Sequence, residues 1–139
     1  MCTSFKVALL NGEMDFSSDT SQSFKIALYT SSATLNAETT AYSTTNETSG
    51  TGYTAGGNTL TIATNPTNDT SSTVAYLDFS DTTWTSSSIT ARGALIYKVG
   101  GTTPSVAVLD FGSDKTSSDS TFTVTFPTSA ATSAIIRIA

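Results

Sequence analysis

Apolar residues return at every second position, or in short blocks closed by turn residues, in seven segments of this chain. They are 24–30 (FKIALYT), 59–64 (TLTIAT), 73–79 (TVAYLDF), 88–99 (SITARGALIYKV), 105–111 (SVAVLDF), 121–126 (TFTVTF) and 134–138 (AIIRI). Periods of two and blocks of this length predict β-strands. Segment 121–126 alternates most strictly, with Phe122, Val124 and Phe126 on one face and Thr121, Thr123 and Thr125 on the other. Such a strand has one wall on a core and one in water. Gly100 and Gly101 stand between two runs and predict a hairpin joining 88–99 to 105–111. Pro66, Pro104 and Pro127 fall at the edges of runs, where a missing N–H does a ladder no harm. Helix-compatible spacing occurs at 3–10, where Phe5, Ala8 and Leu9 precede an Asn11-Gly12 stop, and a single turn fits 33–42.

These elements predict one all-β domain over 1–139, an antiparallel β-sandwich or a jelly-roll-like small barrel with at most a short N-terminal helix. Residues 1–20 read as an extended or helical N-terminal segment. The longest irregular stretch, 43–58 (STTNETSGTGYTAGGN), reads as a functional or mobile loop. Two short echoes, FKVAL at 5–9 with FKIAL at 24–28 and AYLDF at 75–79 with AVLDF at 107–111, are too brief for a repeat architecture. The second pair predicts two strands that end in similar surroundings, with an Asp at each rim.

Composition strengthens the β reading. The chain holds 29 Thr and 22 Ser while charged residues make up 12%. Thr is β-branched and suits a pleated, half-exposed surface. The net charge is -5 and the six basic residues are scattered, so the clustered cations that displace counterions from phosphates are missing and no nucleic-acid partner is expected. No apolar run approaches a bilayer span, so no membrane partner is expected either. The opening residues make a poor signal peptide, and without one the sequons at Asn46 and Asn68 read as products of a Thr-rich sequence. Cys2 stands alone, which leaves no intrachain disulfide; it reads as a reduced thiol of a protein made in the cytosol, with an intermolecular thiol as the other option.

There is no histidine. The usual base for activating a hydroxyl or thiol is therefore missing, as is the Cys/His shell of common zinc sites. No phosphate-binding glycine motif occurs in a strand-to-helix setting. Carboxylates remain: Asp78, Asp81, Asp110 and Asp114 sit at the ends of two strand runs. A close pair could serve a glycosidase or hold a calcium ion, but no calcium-loop motif supports a metal, and turn-capping Asp is the plainer reading. No catalytic residue, cofactor or metal is expected. Arg92 lies inside a strand run and either points to solvent or pairs with one of these Asp residues. Trp84 either anchors an interface or sits in the core.

The fragments FKIALYTSSATL (24–35), SGTGYTAGGNTLT (49–61), ITARGALIYK (89–98), VAVLDFGSDK (106–115) and AIIRIA (134–139), collinear over most of the chain, resemble a family of small virion proteins of tailed bacteriophages. That resemblance implies a capsid decoration (cement) protein located in the virion, made in the host cytoplasm, that binds the major capsid protein or another virion protein and forms a homo-oligomer. A tail, neck or fibre component is the alternative within virion proteins. A carbohydrate-binding module, with Tyr53, Trp84 and Tyr97 as stacking platforms, is a further one. Recognition concentrates in loops and termini, so Phe5, Leu9 and Phe16 of the N-terminal segment, Tyr53 of the long loop and Trp84 are the candidate partner-binding residues.

Overall fold

A computed structural model of the chain describes residues 1–102 and 104–139. The elements run α1 (Thr3–Leu10), β1 (Phe24–Tyr29), β2 (Asn58–Leu60), β3 (Ile62–Asn68), β4 (Ala75–Phe79), β5 (Thr82–Lys98), β6 (Ser105–Val124) and β7 (Ile136–Ile138). They form two antiparallel sheets, four strands in the order β2-β1-β5-β6 and three in the order β3-β4-β7. The chain is all-β, with one short helix. Both sheets turn apolar side chains onto one core: Phe24 and Ile26 from β1, Ile96 from β5, Leu77 and Phe79 from β4 and Ile136 from β7 belong to the same buried cluster.

The predicted strands are recovered, with boundaries that differ for physical reasons. Segment 59–64 is two strands. Thr61 breaks the pairing, so β2 ends on β1 while β3 begins on β4 in the other sheet. Runs 105–111 and 121–126 are one continuous strand, because the polar stretch between them stays paired with β5 and absorbs its irregularity at Gly112 (φ 74°) and Asp119 (φ 46°). These bulges bend β6 so far that the rings of Phe111 and Phe122 lie 6.4 Å apart. The Trp84 segment, polar to the eye, is the first part of β5, where Trp84 faces Phe122 across the ladder. Pro66 sits within β3, an edge strand that tolerates a missing donor. The predicted turn at 33–42 is a chain of bends and turns with no helix. The Gly100-Gly101 hairpin links β5 to β6, both glycines at positive φ.

Helix α1 closes one end of the core. Its N-cap is Cys2, which is fully buried and whose N–H donates to the Val106 carbonyl of β6 at 2.9 Å. Phe5 and Ala8 face inward, and Phe5 meets Phe16 edge-on at 5.9 Å. Phe16 in turn stacks on Phe24 at 4.3 Å. The N-terminal segment is thus part of the core, with Val7 and Leu10 left outside.

Candidate functional site

The helix does not seal the end it covers. The inner face of β4 and β7 presents Ala75, Leu77, Ile136 and Ile138, which are neighbours in register: Ala75 opposes Ile138 and Leu77 opposes Ile136. Phe5 and Leu9 of α1 and Met14 and Phe16 of the segment after it form the facing wall. Between them lies a groove of about 400 Å³ whose walls are almost entirely aliphatic and aromatic, with Asp15 at its mouth. Asp15 is exposed, and its carboxyl is held below the ordinary range by hydrogen bonds from the N–H and hydroxyl of Ser17. Ile138 is 43% exposed and Leu10, on the same helix as Leu9, is 88% exposed. Among the described residues, β7 is an edge strand bonded only to β4. One side of the groove is therefore a row of backbone groups open to a further strand.

Three of the five predicted partner-binding residues, Phe5, Leu9 and Phe16, meet at this groove. Phe5 and Phe16 are buried and form its floor, so Leu9 is the one of the three that reaches the surface. Met14, Tyr76, Ile136 and Ile138 complete the walls and were not singled out from sequence. The alternation of AIIRI was the available signal for the last two. Tyr53 and Trp84 lie elsewhere, their rings 6.0 Å apart.

Trp84, only 3% exposed, also meets Phe122 edge-on, which places it in the core rather than at a surface. Tyr97 is likewise buried and stacks on Tyr42 at 4.6 Å. Of the three rings proposed as sugar platforms, only Tyr53 keeps partial exposure. A stacking surface needs open ring faces, so the carbohydrate-binding alternative loses its geometry.

The long loop is tied down by one carboxylate. Glu47 Oε2 accepts the Tyr42 hydroxyl at 2.7 Å, and Oε1 accepts the Tyr53 hydroxyl and the Gly56 N–H, each at 2.7 Å. Tyr53 oxygen accepts the Leu28 N–H of β1 at 2.9 Å, and Tyr97 donates to the Gly56 carbonyl at 2.8 Å. Desolvation, then the bond to Glu47, pushes the Tyr53 hydroxyl far above its ordinary range, so it stays a donor. Short bridges pair Glu47 with Tyr29 and Thr51 with Ser88. Residues 43–58 are an anchored cover on the sheet. Glu47 is the only charged residue in that stretch and stands between two tyrosines, a signal that reading the stretch as a loop passed over.

The four Asp residues separate. Asp110 accepts the Gly112 N–H and Asp81 the Phe126 N–H, the turn-holding role. Asp114 pairs with Arg92 at 2.8 Å, both about half exposed, which is the paired option for Arg92. Asp78 is buried while Asp110 is exposed, so the echo of AYLDF and AVLDF does not mark similar surroundings: the first Asp is covered and the second is not. Among the described residues no cluster of three potential metal ligands occurs. In comparisons with known proteins, no family model matches the chain, and neither a curated protein nor a solved structure matches it.

Proposed function

We propose that this chain is a virion structural protein of the capsid-decoration type, which stabilises an assembled shell by docking on it through the groove between α1 and β7. The observation that carries the docking role is an apolar groove bordered by an unpaired sheet edge. An extended segment of the capsid protein added to β7 would gain backbone hydrogen bonds and place alternate side chains beside Ile136 and Ile138. The virion context rests on the sequence fragments that resemble phage virion proteins. A binder specific for the assembled shell stabilises it by mass action, and many copies on a symmetric lattice make modest contacts sufficient. The charge-poor, hydroxyl-rich surface fits a partner met at high local concentration, because it offers little electrostatic steering.

Purified protein added to mature empty heads should bind in saturable, stoichiometric fashion. The groove variants Leu9→Asp, at a half-buried position, and Ile138→Asp, at an exposed one, should lose that binding while keeping the native circular dichroism spectrum. Attachment to tails alone would place the protein in the tail. Undiminished binding by both folded variants would remove the groove from the interface.

A further inference from the structure

A second feature lies on the opposite face of the same sheet. Along β4, Leu77 and Phe79 point into the core and Asp78 points outward, yet Asp78 is only 2% exposed. The segment 127–135, which leads into β7, reaches this face at both of its ends, through Ser129 beside Thr64 and through Ile135 beside Asp78. That strap is fastened by Ser129, whose hydroxyl donates to Thr64 Oγ1 at 2.7 Å, and Thr64 is the register neighbour of Asp78. Ala131 and Ala134 are buried, and the strap closes on itself through Ala134 N–H to the Ala130 carbonyl at 2.9 Å. Asp78 Oδ1 accepts the N–H of Phe79 at 2.9 Å, and the N–H of Ile135, at the end of the strap, also favours the ionised carboxyl. Oδ2 is buried and has no hydrogen-bond partner.

The charged groups around this carboxyl do not neutralise it. Asp81, on the turn into β5, is a like charge that opposes ionisation. Arg137 of β7 directs its guanidinium to the strap carbonyls of Ala131 and Thr132. The strap and β3 carry no charged residue at all.

We propose that Asp78 is a proton-operated latch: as a neutral acid it lies dry beneath the 127–135 strap, and as a carboxylate it frees the strap by drawing water to Oδ2. A neutral carboxyl with one unbonded oxygen is tolerable in a dry site, whereas a buried anion with that oxygen unbonded is not. Burial accordingly raises its ionisation range, with Asp81 adding to the effect. Ile135 ends the strap and Ile136 begins β7, so release of the strap reaches the edge strand of the groove. The latch does not depend on what the groove binds.

The test is amide hydrogen exchange of the full chain between pH 4 and 8, corrected for intrinsic rates, read on the strap amides Ala134 and Ile135 with β1 amides as reference. The opening constant of the strap should rise about tenfold per pH unit between the ionisation range of the open carboxyl and that of the closed one. The β1 amides should not follow. In Asp78→Asn, neutral at every pH, the strap should stay protected throughout. A strap whose protection is independent of pH overturns the latch, as does an Asp78→Asn variant that keeps the wild-type pH dependence. If that variant does not fold, the wild-type profile alone decides, because a flat profile is incompatible with the proposal.

Discussion

Two carboxylates shape this molecule in opposite ways. Glu47 is half buried and fully bonded, accepting two tyrosine hydroxyls and a backbone N–H. Replacing it by Ala strands the Tyr53 hydroxyl and the Gly56 N–H beneath the loop. Hydrogen bonds to a charged acceptor contribute about 1.5–3 kcal/mol each, partly recovered here by water. Glu47→Ala should therefore cost about 2 kcal/mol in urea unfolding, with Glu47→Gln losing less because one acceptor oxygen remains. Asp78 is the reverse case, buried and half bonded. Its folded ionisation range lies above the unfolded one, so its contribution to stability is full below about pH 4 and declines as pH rises through the folded range. Asp78→Asn should thus raise the thermal midpoint at pH 7 and leave it nearly unchanged at pH 3. A midpoint equally shifted at both pH values would mean that the effect is packing and not charge.

At the scale of elements, the sequence was legible wherever one face of a segment is buried. Segment 121–126 shows this best: its Phe122, Val124 and Phe126 are buried and its three threonines exposed. Periodicity could not see the pairing that turns polar residues into strand. Ser113–Ser120 in β6 is held by its ladder with β5, and Thr82–Ser88 in β5 by the same ladder. Nor does local pattern decide between FKVAL at 5–9 and FKIAL at 24–28: the first is helix, ending at Asn11-Gly12, and the second is a central strand. Tertiary context overrides propensity in segments this short. The groove was legible only in part. Phe5, Leu9 and Phe16 were visible as an apolar N-terminal set, but their meeting with Ile136 and Ile138 is a contact between the two ends of the sequence, which no local rule encodes. Phe5 anchors that meeting. Phe5→Ala should cost about 3–5 kcal/mol in chemical denaturation, as for other buried aromatic truncations.

For the whole molecule, α1 serves as a plug whose seating is reported by the chain's own cysteine. Cys2 is fully buried at its start, and burial raises its thiol above the ordinary range. The thiolate is the reactive form, so native protein should react with a thiol reagent far more slowly than denatured protein. The rate should accelerate in step with the loss of α1 packing, and immediate native-state labelling would show that the plug is not seated. The same closure governs how the fold is born. Phe5 and Ile136 belong to one buried cluster, although most of the sequence lies between them. A chain emerging from a ribosome therefore exposes the aromatic side chains of its opening residues until β7 has been synthesised. Only then can the last wall arrive, so the core closes long after α1 has been made, and its apolar side chains stay open to other contacts in the interval.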